Sequence, residues 1–225
     1  MFYKYMKRTI DLVLSSLLIA LIFPFFLPLL ILLKLTGEGH VFYLQQRVGY
    51  KNTRFNVWKF ATMLKDSPNL AGGVITVRND PRLTPMGKYL RKSKINELPQ
   101  LINVFIGNMS FVGPRPLAEP NFALYSQDIQ QTINNCKPGI TGVGSIVFRD
   151  EERLISRSNI NPKEYYQNYI SPYKGELEKW YQQNASTAID VKVLFLTAWV
   201  IVFPASDLIY SLLKGLPHKP DNLKD

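Results

Sequence analysis

The stretch IDLVLSSLLIALIFPFFLPLLILL occupies residues 10–33 and is almost wholly apolar. At about 24 residues it exceeds the ~20 residues that a helix needs to cross a bilayer. Two prolines lie inside it, Pro24 near the middle and Pro28 one turn later. Because proline removes a backbone donor and kinks a helix, the stretch predicts a membrane helix whose course depends on these prolines.

Positive charge flanks the apolar stretch on both sides, at Lys7 and Arg8 before it and at Lys34 after it. A single span usually shows a charge asymmetry between its ends. The part before Pro24 is ~14 residues, or roughly 20 Å of helix, which reaches only past mid-bilayer. These observations favour a re-entrant helix that breaks at Pro24 and returns to the same face. A plain transmembrane helix with a proline kink is the alternative.

A break at Pro24 frees backbone carbonyls near residue 20, and lipid offers them no hydrogen-bond donor. The hydroxyls of Ser15 and Ser16 are candidates for that role. Asp11 begins the apolar stretch and is costly there unless paired, so we expect a structural ion pair with Arg8. A cleaved signal peptide is disfavoured because the stretch is longer than the usual ~7–15 apolar residues.

The composition limits the partners of the chain. Its 225 residues carry a formal net charge of +10, which attracts either nucleic acid or an anionic membrane surface. No zinc or RNA-binding motif accompanies that charge, so the apolar stretch favours membrane lipids and not nucleic acid. A single cysteine, Cys136, excludes an intrachain disulfide and is compatible with a reducing cytosolic face.

Beyond the apolar stretch, the sequence predicts a small α+β domain. Short strands at 41–44 and from Phe55 onward, with a glycine-containing turn at 47–52, predict a β-hairpin close to the membrane surface. The polar stretch 65–80 predicts a mobile loop. Thr84-Pro85 predicts a helix N-terminus, because threonine is a capping residue and proline is accepted at the first helical position.

The second half of the chain is predicted to be helical and partly interfacial. Residues 97–105 predict a helix ended by Gly107, and the charged, aromatic stretch 150–184 predicts one or two amphipathic helices. The apolar stretch 191–213 either lies in the membrane interface or spans the membrane. We therefore expect a re-entrant membrane helix (1–36), a domain with interfacial helices (37–216) and a polar, disordered tail (217–225).

A basic face held against a membrane, with few carboxylates, suits phosphate-bearing substrates. Four basic residues beside turns or at element ends are candidate phosphate ligands: Arg47, Lys59, Arg91 and Arg115. Glu97 lies near a predicted helix start and is a candidate Mg²⁺ ligand, because Mg²⁺ takes one or two carboxylates together with substrate phosphates. A glutamate that only stabilises the helix dipole is the alternative for Glu97.

Seven motifs follow one another along most of the chain: KRTID (7–11), Pro24 in the apolar stretch, VFYLQQRVG (41–49), WKFATM (58–63), LRKSKINELPQLINVF (90–105), GNMSFVGPRP (107–116) and KPGITG (137–142). In this order they resemble the bacterial sugar transferases, the monotopic phosphoglycosyl transferases that begin glycan assembly on a polyprenyl phosphate. The combination of ELPQL…N with FVGPRP is the most specific part of this resemblance.

The resemblance implies a helix broken at Pro24 in the bacterial inner membrane, with a catalytic domain that faces the cytoplasm. It implies transfer of a sugar 1-phosphate from a nucleotide diphosphosugar, such as a UDP-sugar, to undecaprenyl phosphate, which initiates surface glycan assembly. In this family an Asp-Glu pair carries the reaction: the Asp forms a phosphosugar-enzyme intermediate and the Glu binds Mg²⁺. The corresponding residues here are Asn96 and Glu97.

Asn96 departs from the family pattern, because a neutral amide is a far poorer nucleophile than a carboxylate. Three explanations stay open: direct attack by the lipid phosphate, a loss of activity that traps a substrate-bound state, or a substitute carboxylate from Asp150, Glu151 or Glu152. The sequence thus predicts a transferase. The alternatives are a catalytically impaired homologue that binds nucleotide sugar or polyprenyl phosphate, and a basic peripheral membrane or nucleic-acid binder.

Overall fold

The computed structural model describes residues 2–36, 38–67, 81–158 and 161–223. It is a mixed structure with far more helix than strand, as the sequence predicts. The α-helices in these ranges are α1 (Phe2–Leu35), α2 (Pro85–Lys92), α3 (Gln100–Ile106), α4 (Glu119–Phe122), α5 (Gln127–Asn134), α6 (Val143–Val147), α7 (Glu151–Arg157), α8 (Pro162–Tyr165), α9 (Ser171–Asn184), α10 (Thr187–Val202) and α11 (Leu208–Leu212). The strands are β1 (Phe42–Val48), β2 (Arg54–Phe60), β3 (Ser110–Val112) and β4 (Gly139–Thr141).

Helix α1 carries the apolar stretch. Pro24 and Pro28 lie inside it, so the helix does not end at Pro24 and the re-entrant course stays a prediction. Within the described ranges it is the one helix long and apolar enough to cross a membrane. Its apolar side chains are largely exposed, with Leu21 at 67 % and Phe25 at 73 %. Such a run of exposed apolar surface is compatible with membrane association.

The serine hydroxyls of α1 do not serve the carbonyls near Pro24. Ser15 and Ser16 both donate to the carbonyl oxygen of Leu12, at 3.2 and 2.7 Å. The prediction that they replace the donor lost at Pro24 is therefore wrong. A helical serine reaches the carbonyls three or four residues before it, whereas the freed carbonyls lie after these two serines in the sequence.

The chain divides into two compact units. The first unit comprises Met1–Asp11, Arg47–Phe55 and Gly107–Asp225, and the second comprises Leu12–Gln46 and Asn56–Ile106. Each unit therefore combines segments that are distant in sequence. The domain bounds predicted at residues 36 and 216 stay a prediction, and most of the predicted loop 65–80 lies outside the described residues.

In the second unit, the C-terminal part of α1 packs against the hairpin. Leu33 of α1, Phe60 of β2 and Leu90 of α2 are buried together. Phe26 makes an edge-on contact with Phe60, with ring centroids 5.1 Å apart, and Phe42 of β1 stacks on the same ring at 5.6 Å. Burial of this apolar cluster fixes the end of α1 against β2 and α2.

Strands β1 and β2 form the predicted hairpin, which is antiparallel. Its turn contains a 3-10 segment, Tyr50–Asn52, in which Lys51 and Asn52 have positive φ. Strand β1 extends to Val48, so Arg47 lies in the strand and not in the predicted turn. The hairpin was predicted from a local signal, but its first strand ends at Val48 and not at residue 44 as predicted.

In the first unit, β3 and β4 pair in parallel, with Ser110 opposite Gly139. These strands carry the FVGPRP and KPGITG motifs. A Cβ atom on Gly113 would lie 2.3 Å from the Lys137 carbonyl oxygen, and one on Gly142 would lie 2.2 Å from the Gly113 carbonyl oxygen. Only glycine permits so close an approach of two backbones, which explains why both motifs are rich in it.

The start of α1 belongs to the first unit, where Asp11 is buried. Its Oδ1 accepts hydrogen bonds from the Ser110 hydroxyl at 3.1 Å and from the Phe111 N–H at 3.0 Å. These bonds compensate part of the cost of burying a carboxylate. The expected ion pair with Arg8 stays a prediction.

A second polar cluster holds the same end of α1. Lys7 Nζ lies 2.7 Å from Asp190 Oδ2 of α10, and the Tyr3 hydroxyl donates to the same oxygen at 2.9 Å. The Tyr181 hydroxyl of α9 donates to Asp190 Oδ1 at 2.6 Å. The first turns of α1 are therefore fixed to both α9 and α10.

Helix α10 lies in the apolar stretch that was expected either in the interface or across the membrane. Its buried face includes Val193 and Leu196, and its exposed face includes Val191, Phe195 and Val202. At 16 residues it is shorter than the ~20 residues of a comfortable span. A helix packed on one face and apolar on the other favours the interfacial alternative.

The tail from residue 217 is ordered as far as it is described. Residues Asp221–Leu223 form a 3-10 turn, and Leu223 is 1 % exposed. The His218 ring stacks on Tyr210, with centroids 4.9 Å apart. The predicted disorder is therefore wrong, because one buried leucine in a polar segment gives no periodic signal in the sequence.

Candidate active site

Strand β2 supports one of the predicted phosphate ligands. Lys59 is half-buried, and it lies between Trp58 and the fully buried Phe60. Since Phe60 is fixed by the apolar cluster with Leu33, the backbone of Lys59 is fixed relative to the end of α1.

Arg91 is held against the segment that follows β2. Its Nε donates to the Thr62 hydroxyl at 3.0 Å, and its Nη2 donates to Met63 Sδ at 3.4 Å. The Thr84 hydroxyl caps α2 by accepting from the Gly87 N–H at 3.0 Å, as predicted. A Cβ on Gly87 would lie 2.0 Å from the Thr62 carbonyl oxygen, so glycine lets α2 bring Arg91 to Thr62.

Asn96 and Glu97 lie in a 3-10 turn between α2 and α3, Ile95–Glu97, and not at the start of a helix. Lys94, which precedes the turn, has a positive φ of 61°. Asn96 is 7 % exposed, and its Oδ1 has no hydrogen-bond partner among the described residues. A buried acceptor without a donor is costly, which indicates that a donor or a cation completes this position. Glu97 is half-buried.

The other two predicted phosphate ligands lie in the first unit. Arg47 is half-buried near the end of β1, and Arg115 is exposed between Pro114 and Pro116. The Val48 N–H donates to the Leu117 carbonyl oxygen at 2.9 Å. This bond brings the backbone after Arg47 next to the backbone after Arg115. The structure therefore groups these two arginines in one unit and groups Lys59, Arg91, Asn96 and Glu97 in the other.

The donor set at Asn96 and Glu97 fits Mg²⁺ only in part. Magnesium binds oxygen ligands and keeps waters and substrate phosphates in its shell, so one carboxylate and one amide oxygen suffice when phosphates supply the rest. No group of three His, Cys, Asp or Glu side chains that could hold a metal ion occurs in the described ranges. The residues fit a Mg²⁺ ion that arrives with a diphosphate, not a preformed metal cage.

The candidate substitute carboxylates lie near the start of α7. Glu151 forms an ion pair with Lys174 of α9, whose ammonium also lies over the rings of Phe148 and Tyr166 at 5.0 and 5.2 Å. Asp150 is exposed. The Glu152 side chain lies outside what the structure describes. Glu151 therefore has a structural partner already.

Three residues that position the site had no assigned role in the sequence: Thr62, Gly87 and Asn103. The first two bind α2 to the end of β2, as described above. Asn103 of α3 is fully buried and bonds the backbone of β2. All three occur within or near quoted motifs, but the groups that they contact are distant in sequence, which no local pattern indicates.

Comparison with known proteins places the chain in a family. A model of the family "Bacterial sugar transferase" matches residues 2–204. The chain belongs to this family. It is 34 % identical over 203 residues to an undecaprenyl-phosphate glucose phosphotransferase of Komagataeibacter xylinus. The matched region covers 85 % of this chain and 35 % of the relative.

Two further relatives support the assignment. The chain is 35 % identical over 199 residues to the UDP-glucose:undecaprenyl-phosphate glucose-1-phosphate transferase of Escherichia coli K12, with 87 % of this chain and 40 % of the relative covered. It is 32 % identical over 177 residues to the exopolysaccharide production protein ExoY of Rhizobium meliloti, with 72 % and 77 % covered. The chain thus spans about two fifths or less of the first two relatives and most of the third.

Proposed function

We propose that this chain transfers a sugar 1-phosphate from a nucleotide diphosphosugar, in particular a UDP-sugar, to undecaprenyl phosphate. The reaction would begin assembly of a surface glycan at the inner membrane of a bacterium, with the catalytic residues on the cytoplasmic side. Family membership supports the proposal, and so do the activities for which the first two relatives are named. Nucleic acid has no part in it.

One observation carries the proposal: the end of the apolar helix packs directly on the elements that hold basic side chains. Leu33 of α1 is buried with residues of β2 and α2, and these elements carry Lys59 and Arg91. A polyprenyl phosphate keeps its chain in the bilayer and its phosphate at the surface. Cations at the membrane-facing end of a soluble unit therefore meet the phosphate where it lies.

The basic residues and Glu97 divide the binding task. In the second unit, Lys59 and Arg91 would bind and orient phosphate oxygens of the substrates. In the first unit, Arg47 and Arg115 are the candidate phosphate ligands. Glu97, which follows Asn96 in the same 3-10 turn, would hold Mg²⁺. When bound, Mg²⁺ supplies neutralisation of the charge on the diphosphate. The exposed apolar face of α1 would hold the unit at the lipid surface.

Asn96 favours direct transfer over a covalent intermediate on this side chain, because a neutral amide is a far poorer nucleophile than a carboxylate. In that step a phosphate oxygen of undecaprenyl phosphate attacks the phosphorus that bears the sugar. The bond from that phosphorus to the bridging oxygen breaks, and UMP leaves with the electron pair. Arg91 and Lys59 orient the reacting phosphates for this attack.

The test is release of UMP from a panel of UDP-sugars by the purified chain with undecaprenyl phosphate and Mg²⁺. The proposal expects UMP release with at least one sugar, dependent on both lipid phosphate and Mg²⁺. For substitution of Glu97 by glutamine, Glu176→Gln is the matched control, because it removes one carboxylate charge at an exposed position of α9. A chain that releases no UMP with any sugar would contradict the proposal.

Asn96 also motivates a second candidate function, a homologue that binds nucleotide sugar or polyprenyl phosphate without turnover. Its buried Oδ1 has no partner in the part of the chain that the structure describes, and a bound ligand could satisfy this acceptor. Asn96→Asp distinguishes the two functions. A native chain that binds UDP-sugar without turnover, together with an Asp variant that turns over, would favour the binding function.

A further inference from the structure

The outer edge of strand β2 is bonded by a side chain. Among the residues that the structure describes, the β1–β2 sheet has two strands, so each of them has one edge without a neighbouring strand from these residues. Asn103 of α3 occupies the outer edge of β2. Its Oδ1 accepts from the Trp58 N–H at 2.9 Å, and its Nδ2 donates to the Asn56 carbonyl oxygen at 2.7 Å. A primary amide has one acceptor and one donor side, so it binds β2 as a third strand would.

This pair of bonds joins the two elements that carry candidate catalytic groups in the second unit. Trp58 directly precedes Lys59 in β2, and Asn103 lies in the helix that follows Asn96 and Glu97. Asn103 is 0 % exposed. Both partners of its amide belong to one strand, two residues apart, so the contact defines where α3 lies along β2.

Apolar packing alone would not define that position. Contacts of Leu101 and Val104, which are buried in the same helix, are non-directional. A two-point hydrogen bond to a strand fails if the strand slides by one residue, which is about 3.3 Å. Burying an amide is also costly unless both its groups are bonded. A buried asparagine at this position is therefore better explained by geometry than by stability.

We propose that Asn103 is a positioning residue of the transfer reaction: it fixes the strand that carries Lys59 relative to the turn that carries Glu97. This inference rests on the proposed transferase function. Asn103 touches neither substrate nor metal in this scheme and acts through Lys59. The expected signature is that the effects of Asn103 and Lys59 on catalysis are not additive.

A double-mutant cycle tests the inference. Asn103→Leu keeps a similar volume and removes both bonds, and Lys59→Ala removes the ammonium. We expect each single variant to lower kcat/KM for the UDP-sugar about tenfold or more, because small displacements of a binding group are costly to catalysis. The double variant should lose no more than twofold beyond Lys59→Ala alone, since Asn103 acts through Lys59. Additive losses would overturn the inference.

A matched control separates positioning from general destabilisation. Thr197→Val removes the 2.7 Å hydrogen bond between the Thr197 and Thr141 hydroxyls in the first unit. Compared at equal folded fraction, Thr197→Val should leave kcat/KM within twofold of native. If the activity lost in Asn103→Leu follows only its folded fraction, as in the control, the inference fails. If Asn103→Leu does not fold, Asn103→Asp replaces it in the cycle. This variant keeps the acceptor for the Trp58 N–H but loses the donor to the Asn56 carbonyl oxygen.

Hydrogen exchange separates failure of this inference from failure of the proposed function, since it needs no turnover. In Asn103→Leu, peptides covering residues 54–60 and 95–106 should exchange faster, while α2 keeps its native rate. A native chain without turnover would overturn the proposed function, and the cycle would then be measured on binding of UDP with Mg²⁺. Unchanged exchange at Trp58 would overturn the positioning role and leave the proposed function standing.

Discussion

Glu97 is the residue on which the proposed role of Mg²⁺ depends. We predict that Glu97→Gln abolishes Mg²⁺-dependent binding of nucleotide sugar, because it removes the carboxylate charge while keeping the size of the side chain. Affinity in the presence of Mg²⁺ should fall about tenfold or more, to the level measured with EDTA. Calorimetric titration of UDP-sugar into both variants, with and without Mg²⁺, provides the measurement. Unchanged affinity would refute the role of Glu97.

Glu178 leads to a prediction about stability and pH. It is buried in α9, and its Oε2 has no hydrogen-bond partner among the described residues. Burial raises the pKa of its carboxyl from 4.5 to about 7, although the Lys174 ammonium opposes the rise. In that window the folded chain keeps a proton that the unfolded chain has lost.

The sign of the effect follows from this difference in bound protons. The contribution of protonated Glu178 to stability is fully present below pH 4.5 and is lost as the pH rises to about 7. The shift in its pKa corresponds to about 3 kcal/mol in the free energy of unfolding. Glu178→Gln cannot lose a proton, so the free energy of unfolding of the native chain should fall relative to that of the variant across this range. Denaturant unfolding in detergent at several pH values measures it, and parallel pH curves would contradict it.

At the scale of elements, what could be predicted depended on whether the signal was local. The cap of α2 was predicted because Thr84 and Pro85 are adjacent, and the hairpin because its strands flank one turn. The contact of Gly113 with Gly142 pairs two motifs nearly thirty residues apart, and sequence periodicity carries no record of such pairing. The same limit hid the bonds from Asn103 to β2.

The candidate site was predicted in its residues and not in its supports. The family resemblance located Asn96 and Glu97, and basic residues near turns and element ends gave Lys59 and Arg91; the structure places these four in one unit and the other two predicted arginines in the other. The sequence could not show that the Asn96 amide oxygen is buried without a donor from the described residues, because burial is a property of the packed chain. It also placed Glu97 at a helix start, whereas a 3-10 turn precedes α3.

Close approach of α2 to the end of β2 gives a prediction for Gly87. Its substitution by alanine would place Cβ 2.0 Å from the Thr62 carbonyl oxygen, so α2 must move away from Thr62, which displaces Arg91 relative to the Thr62 hydroxyl. We expect Gly87→Ala to lower the free energy of unfolding by about 1–3 kcal/mol, as overpacking does. We also expect it to weaken binding of UDP-sugar. Ala198→Gly, on the exposed face of α10, is a control for a change between glycine and alanine outside the site. Gly175 does not serve as a control, because a Cβ atom there would be similarly crowded. Native affinity in Gly87→Ala would contradict the prediction.

Helix α10 can be tested as an interfacial element by measuring depth. Spin labels on cysteines replacing Val191, Phe195 and Val202, in a Cys136→Ser background, should all lie at a similar, shallow depth of ~5–10 Å below the headgroups. These positions share the exposed apolar face of the helix. Accessibility to oxygen and to a polar nickel complex measures the depth. A spanning helix would instead show depth that changes steadily from residue 191 to 202.

At the scale of the whole molecule, α1 is held at both ends and exposed between them. Its start is bonded to Asp190 and to β3, and its end packs on Phe60. Its 34 residues correspond to about 51 Å of helix, longer than the ~30 Å hydrocarbon core of a bilayer. Basic residues flank both ends of the apolar part. A helix that enters and leaves by one face would keep both anchors and both sets of charges in the cytoplasm.

This course gives the last prediction. In a Cys136→Ser background, Lys4→Cys and Lys34→Cys report the two exposed ends of α1 to a membrane-impermeant maleimide. Both should be labelled from the cytoplasmic side of inverted vesicles and protected in right-side-out spheroplasts. Pro24→Ala restores a backbone donor at the helix centre and favours a straight helix, so the two cysteines should then be labelled from opposite sides. Opposite labelling in the native chain would exclude the re-entrant course, and same-side labelling in Pro24→Ala would show that Pro24 does not determine it.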